Sequence, residues 1–168
     1  MNDRRNGLLT FAVSTVSCIS LLPLTSCSSG TQLSPAQQAG QEEALARIKQ
    51  LGGTAKPPEG PVERVNLAGT KVVDDDLKLL AALPGLRILN LSHSQVGDDG
   101  LSHLTSAKEL VELNLSGTQV TNQGVLRLRD LPKLGFLFVK RTQVTDATVE
   151  ELRKAIPHLM VQNRGAGF

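Results

Sequence analysis

Hydrophobic residues recur along this chain in blocks that begin at Val62, Leu86, Leu110 and Leu134, a constant spacing of 24 residues. Each block carries apolar residues at relative positions 1, 4 and 6, and the alternation of positions 4 and 6 predicts a β-strand. Further apolar residues stand at positions 11, 16 and 19, where the three-residue step predicts one face of a helix. Self-similarity at such a period indicates stacked structural repeats. The pattern therefore predicts an α/β solenoid over residues 62–168.

The predicted solenoid ends in an incomplete repeat. Four full blocks precede it, and the fourth is interpreted as carrying one extra residue, so that the fifth begins at Leu159. This alignment places Gln162 and Arg164 at positions 4 and 6, which are apolar in the other blocks. Polar residues on a last strand discourage further pairing. We therefore expect four repeats and a truncated fifth that ends the sheet with a polar edge.

An acidic or amide residue stands at position 13 of each block, just ahead of the helical positions. These residues are Asp74, Asp98, Asn122 and Asp146. Asp and Asn are preferred helix N-caps, because their side chains accept hydrogen bonds from unpaired helix amides. Pro84, Pro132 and Pro157 follow three of the helical segments and predict where they end. The clustered aspartates of residues 74–76 and 98–99 lack the oxygen spacing of a calcium loop, so helix caps are expected there.

The L-x-x-L-x-L pattern, followed by a small polar residue and Val, resembles a leucine-rich repeat. It is most similar to the bacterial 24-residue repeats of the ribonuclease-inhibitor-like and F-box-type classes, over about residues 62–165. The resemblance implies a short right-handed solenoid with a parallel sheet on its concave face and helices on its convex face. Position 9, where the family has Asn, carries a hydroxyl here. We expect these hydroxyls to bond to neighbouring backbone groups: Thr70, Ser94, Thr118 and Thr142.

The segment before the repeats predicts a capping helix, which a solenoid needs at its end. Ser34 followed by Pro35 is a favourable helix start, and Gly52-Gly53 predicts its end. Four apolar residues share one helical face, namely Ala44, Leu45, Ile48 and Leu51. We expect residues 35–51 to pack over the first repeat and residues 54–61 to form a connecting loop. A helix lying on a membrane is the alternative, although its polar face is mixed rather than basic.

Residues 1–26 have the features of an export signal rather than of folded structure. Two arginines precede an apolar stretch, residues 8–24, which is too short and too polar for a transmembrane helix. The motif Leu24-Thr25-Ser26-Cys27 resembles the lipobox of bacterial lipoproteins. That resemblance implies signal cleavage before Cys27 and acyl chains such as palmitate on Cys27. We expect residues 27–34 to be a short tether that holds the domain near a membrane of the bacterial cell envelope, with inner and outer membrane both open.

Composition argues against several other functions. The aromatic fraction is 2%, without Trp or Tyr, whereas a platform for single-stranded nucleic acid needs aromatic faces. The formal net charge of +2 is small for a phosphate-binding surface. With Cys18 in the signal and Cys27 lipidated, no thiol remains for chemistry. His93, His103 and His158 fall at unrelated repeat positions, unlike metal ligands. We predict no enzyme activity, metal, cofactor, nucleic-acid partner or small-molecule substrate.

Side chains at positions 3, 5 and 7 should point outward from the concave face, because side chains alternate along a strand. Position 5 reads Asn66, Asn90, Asn114, Phe138 and Asn163. The Asn column is interpreted as structural, with its amides bonding sideways between repeats. The expected partner-binding residues are Ile88, Glu112, Phe136, Phe138 and Lys140.

The pair Phe136 and Phe138, followed by Lys140 and Arg141, is typical of a binding hot spot if it is exposed. The alternative is that the truncated fifth repeat or another capping segment covers both rings. The family resemblance implies protein–protein interaction, which is the predicted function. A structural, self-associating envelope lipoprotein is the competing hypothesis.

Overall fold

The computed structural model describes residues 34–56, 61–81 and 83–163. The predicted signal, Cys27 and all but the last residue of the tether lie outside them. In these residues the α-helices are α1 (Pro35–Gln50), α2 (Asp76–Ala81), α3 (Asp98–Leu104), α4 (Asn122–Leu126) and α5 (Asp146–Ala155). The strands are β1 (Thr54–Lys56), β2 (Arg64–Asn66), β3 (Ile88–Asn90), β4 (Glu112–Asn114), β5 (Phe136–Phe138) and β6 (Met160–Gln162). None of these helices has the length and apolar character needed to cross a membrane.

In the described residues, six strands form one sheet in chain order from β1 to β6. Strands β2 to β6 are parallel, and a helical segment separates each from the next. Parallel neighbours need such a crossover, because a short turn cannot return the chain to the same end of the sheet. The predicted α/β solenoid, with a parallel sheet on one side and helices on the other, is confirmed.

One continuous hydrophobic core lies between the sheet and the helices. Positions 1, 4 and 6 are buried in all four repeats, as are the helical positions 16 and 19. Position 11 is buried in the first three repeats, whereas Val144 in the fourth is only partly buried. The change of period within each block thus correctly predicted which residues face the core.

Helix α1 closes the N-terminal end of this core. Ser34 and Gln37 form a reciprocal capping box at its start, and the side chains of Ala44 and Ile48 are buried against the first repeat. Arg47 Nε donates a 2.7 Å hydrogen bond to Asp76 Oδ1. This bond and the charge of Asp76 raise the pKa of Arg47 above its usual value. The capping helix is therefore held by apolar packing, by the ion pair of Arg47 with Asp76, and by a 3.3 Å hydrogen bond from Val62 N–H to Gln41 Oε1.

Part of the expected connecting loop is a strand. Residues Thr54–Lys56 pair antiparallel with β2, so the loop expectation is wrong for them. After Gly52 (φ 78°) the chain reverses, and Gly53 passes so close to Leu67 that a Cβ on Gly53 would lie 2.5 Å from Leu67 Cδ2. β1 covers the edge of β2, whose backbone groups would otherwise be unpaired.

The strand register corrects the expected alignment of the last repeat. Phe136 pairs with Met160, and Phe138 pairs with Gln162, a step of 24 residues in each case. No extra residue is present, so position 4 is the buried Val161 and not Gln162. Position 5 is Gln162 and not Asn163. The expected alignment was wrong because it assigned Leu159 to position 1. Leu159 stands at position 2, which is not apolar in most repeats, and its side chain is nevertheless buried.

The position-13 side chains join neighbouring repeats instead of capping their own helices. Each of the first three accepts a hydrogen bond from the backbone N–H at position 12 of the next repeat. The pairs are Asp74 with Gly97 (2.7 Å), Asp98 with Thr121 (2.7 Å) and Asn122 with Thr145 (2.9 Å). The N-cap prediction is wrong because α3, α4 and α5 begin at the position-13 residue itself. The side chain therefore lies in the first turn, from which it reaches sideways.

The position-9 hydroxyls bond to the backbone as expected, within their own repeat. Each donates to the carbonyl oxygen at position 6. The pairs are Thr70 with Leu67 (2.8 Å), Ser94 with Leu91 (2.6 Å), Thr118 with Leu115 (2.6 Å) and Thr142 with Val139 (2.7 Å). These bonds close the turn after each strand within its own repeat.

Glycines at position 15 leave space for the lateral bonds of position 13. A Cβ on Gly100 would lie 2.5 Å from Asp74 Oδ1. A Cβ on Gly124 would overlap Asp98 Oδ1 and lie 3.0 Å from the Cα atom of Asp98. Backbone atoms cannot move aside as a flexible side chain can, so the contact at Gly124 fixes the distance between two repeats.

Gly124→Ala should therefore destabilise the protein by about 1–3 kcal/mol, the usual cost of overpacking. Gly40→Ala is the matched control, because a Cβ at Gly40 on α1 meets nothing within 4 Å. Ala favours helix over Gly by about 1 kcal/mol, so the control should be neutral or stabilising. Urea denaturation of both variants measures the difference. Equal stability of Gly124→Ala and the unsubstituted chain would contradict the assigned role of the lateral contact.

Candidate protein-interaction surface

Parallel pairing without offset places equivalent residues of successive repeats side by side on the concave face, defined here as the outward surface of the sheet. The position-3 column reads Arg64, Ile88, Glu112, Phe136 and Met160. The position-5 column reads Asn66, Asn90, Asn114, Phe138 and Gln162. The predicted residues Ile88, Glu112, Phe136 and Phe138 thus lie on one surface. Lys140 follows Phe138 at position 7.

The Asn residues of the position-5 column bond within their own turns and not sideways. Each Oδ1 accepts a hydrogen bond from the backbone N–H at position 7. The pairs are Asn66 with Ala68 (3.1 Å), Asn90 with Ser92 (3.0 Å) and Asn114 with Ser116 (3.0 Å). Such local bonds are usual for Asn in turns, and they correct the expected ladder between repeats. Phe138 has no oxygen to accept the equivalent bond from Lys140.

The aromatic end of the concave face is open to solvent. Phe136 is 44% exposed and Met160 is 64% exposed, while Phe138 and Lys140 are half-buried. In the described residues, β6 of the fifth repeat lies beside Phe136 as the next strand and does not cover it. Met160 was not among the predicted contact residues. The extra residue assumed at the end of the fourth repeat had placed it at position 2 instead of position 3.

A groove of about 220 Å³ lies beside this column, on the side where the strands begin. Positions 2 and 3 of the first four repeats line it: Glu63, Arg64, Arg87, Ile88, Val111, Glu112 and Phe136. The sequence reading missed Glu63, Arg64, Arg87 and Val111. Three of these four stand at position 2, which precedes the strand, and no alternation pattern predicts which way they face.

The turn after each strand adopts left-handed backbone at position 8. Gly69 and Gly117 have φ of 68° and 71°, and His93 and Arg141 adopt φ of 57° and 56° despite their side chains. The His93 ring lies over the next turn, since a Cβ on Gly117 would be 2.6 Å from His93 Nδ1. His93 is thus part of a packed turn. In the described part of the chain, no group of His, Cys, Asp and Glu side chains is arranged to hold a metal ion.

Other depressions lie elsewhere on the surface. One of about 540 Å³ is at the C-terminal end of the described chain, between α5 and β6, and it reaches the concave face at Lys140 and Gln162. Another of about 490 Å³ lies on the helical side, where Arg127 and Arg129 are among its lining residues. Neither brings together a nucleophile, a base and an oxyanion donor, which acyl transfer would need.

The comparisons with known proteins agree with this architecture. The family model described as Leucine Rich repeat matches residues 84–104 and 109–128. No curated protein is similar enough in sequence to match the chain. The match covers two stretches within the repeats, and the described residues have the fold of a short leucine-rich-repeat solenoid, an architecture with an extended concave surface.

Several solved structures are similar to this chain. Leiomodin-1 actin-binding site 2 is 18% identical over 76% of this chain and 80% of its own, with a TM-score of 0.53. Internalin C2 from Listeria monocytogenes is 25% identical, with a TM-score of 0.42, over 50% of this chain and 34% of its own. A leucine-rich-repeat protein from Leptospira interrogans is 18% identical over 51% of this chain and 27% of its own, with a TM-score of 0.38. The chain thus spans about a third or less of these two bacterial proteins.

The outward position of Phe136 can be tested against its neighbour. Leu137 is fully buried, so Leu137→Ala should cost about 2–5 kcal/mol. Phe136→Ala should cost less than about 1 kcal/mol, as surface substitutions usually do. Thermal and urea denaturation give both values. If Phe136→Ala lowered the stability more than Leu137→Ala, the assignment of Phe136 to the outward face of this strand would be wrong.

Proposed function

We propose that this protein is a non-enzymatic, membrane-anchored module that binds a protein partner through its concave face. The observation that carries the proposal is the change at position 5 in the fourth repeat. Three repeats place there an Asn that stabilises its own turn, and the fourth places Phe138 beside the exposed Phe136. A ring that gives up a local hydrogen bond and is still only half-buried is better explained by contact with a partner than by folding.

The chemistry of this surface suits protein recognition. Aromatic side chains are enriched among the residues that dominate binding energy. Phe136 and Phe138 lie next to Met160, whose flexible thioether adapts to irregular partner surfaces. The adjoining Lys140 supplies a cation at the rim. The predicted contact residues Ile88 and Glu112 extend the same surface toward the first repeats.

The membrane anchor is proposed from the sequence. The lipobox-like motif that ends at Cys27 follows an apolar stretch that has the features of an export signal. Two or more acyl chains anchor a protein stably, whereas one gives only marginal binding. The tether of residues 27–34 spans at most about 3.6 Å per residue. The module would then work close to a membrane of the cell envelope.

Phe138→Asp tests the binding surface, because it places a charge where a partner would exclude water. The expected result is loss of the partner that the intact protein captures by crosslinking in its own envelope, without a drop in melting temperature. Gln123→Asp, on the exposed side of α4, adds the same charge to the convex side and should keep capture. Unchanged capture by Phe138→Asp would refute the concave site, and a large loss of stability would assign Phe138 to the core.

Cys27→Ser tests the anchor, because serine lacks the thiol that receives lipid. The variant should leave the membrane fraction and lose the acyl mass that mass spectrometry detects on the intact chain. Cys18→Ser is the matched control, since Cys18 lies in the segment expected to be removed, and it should stay with the membrane. Equal fractionation of the two variants would contradict lipidation at Cys27.

A further inference from the structure

The groove at positions 2 and 3 has the size of a side-chain site. Its volume of about 220 Å³ lies below the range of about 300–1,000 Å³ of small-molecule pockets. Its apolar part is formed by Ile88, Val111 and Phe136, from three successive repeats. A single apolar side chain of a partner fits these dimensions better than a whole ligand does.

Four charged side chains border this apolar part without partners. They are Glu63, Arg64, Arg87 and Glu112, and in the part of the chain that the structure describes none of them forms an ion pair or a side-chain hydrogen bond. Elsewhere charges on neighbouring surfaces do pair, as Lys133 does with Glu109 and Arg153 with Glu150. Whatever closes this groove must satisfy these charges, because burying an unpaired charge is costly.

The charges are separated along the groove. Arg64 and Arg87 come from the first and second repeats and outnumber Glu63 at that end. Glu112 comes from the third repeat and stands between Ile88 and Phe136 in the position-3 column. The groove is thus cationic toward α1 and anionic toward the aromatic end. Ile88 and Val111 lie between the two charged ends, and Phe136 lies beyond Glu112. A planar guanidinium binds a carboxylate in a fork geometry, and a carboxylate accepts from a cation.

The strand spacing gives the distance that an occupant must span. Neighbouring strands lie about 4.8 Å apart, so Arg64 and Glu112, two strands apart, are separated by about 10 Å. An extended chain rises about 3.3 Å per residue. Side chains alternate in direction along an extended chain, so those that face the groove stand at every second residue. The smallest even spacing that reaches about 10 Å is four residues, with the apolar residue midway between the two charges.

We infer that the groove binds an extended segment of a partner protein that carries a carboxylate, an apolar side chain and a cation in that spatial order. The carboxylate contacts Arg64 and Arg87, the apolar side chain enters between Ile88 and Val111, and the cation contacts Glu112. This inference rests on the proposed interaction function and adds the chemistry of the partner segment.

Selection of random linear peptides on the full-length chain tests this inference. Enriched peptides should combine an acidic and a basic residue about four positions apart with an apolar residue midway between them. Synthetic peptides of that pattern should bind the R64E/R87E double variant at least about tenfold more weakly. The R127E/R129E variant makes the same charge change on the convex side and should bind them unchanged. Melting curves check that both variants are folded.

Several results would overturn the inference. These are no enrichment, enrichment without the charge order, equal binding to the R64E/R87E variant, or equal loss in the convex control. A concentration-dependent dimer that R64E/R87E dissociates would assign the groove to a second copy of the chain and also overturn it. Failure of the proposed function would be seen in a different experiment, the crosslinking of the intact protein, where Phe138→Asp would still capture the partner. The two failures are therefore distinguishable.

Discussion

Each repeat of this protein is too small to bury its own apolar side chains, and that constraint governs the rest of the structure. A strand of three residues and a short helix enclose a core only when the next repeat closes it. Several kinds of lateral bond hold the repeats together. They include the backbone ladder of the sheet, backbone bonds between successive turns such as that from Gly69 N–H to the Ser92 carbonyl (2.7 Å), and the position-13 bonds such as that from Thr121 N–H to Asp98 (2.7 Å). The position-13 bonds in turn require a small residue at Gly100 and Gly124. The core and the lateral bonds therefore fix most of each 24-residue unit.

The sequence was sufficient to predict the features that repeat. Burial at positions 1, 4, 6, 16 and 19 follows from a change of period that four copies reproduce. The sideways reach of Asp98 could not be predicted from local rules, because an Asp just ahead of a helix and an Asp in its first turn give the same sequence pattern. β1 was missed because the three prolines of residues 57–61 indicate a loop, while the pairing of Thr54–Lys56 depends on the unpaired edge of β2. The last repeat was misaligned because a leucine at 159 outweighed the constant period.

The site was predictable only in part, for a related reason. Strand alternation placed Phe136 and Phe138 on the outward surface, and their registers follow from the constant period. Alternation does not extend to position 2, so the contribution of Arg87 and Val111 to a groove emerges only when strands are placed side by side. The sequence also did not predict that Phe138 lacks a local hydrogen bond, because it did not show that the Asn residues at position 5 bond to their own turns.

Phe136 belongs to both parts of the concave face, and under the proposed function this would connect affinity with specificity. A partner that covers the aromatic end also approaches the groove, since Phe136 lines it. Apolar contact at the rings stabilises many partners to a similar degree, because the hydrophobic effect is not directional. Closing the groove is selective, because a partner without matching charges would leave Arg64, Arg87 and Glu112 desolvated and unpaired, which costs several kcal/mol per ion at full burial. Discrimination by such a penalty needs no additional attractive contact. The aromatic end would then determine how tightly a partner binds, and the charged groove would determine which partner can bind.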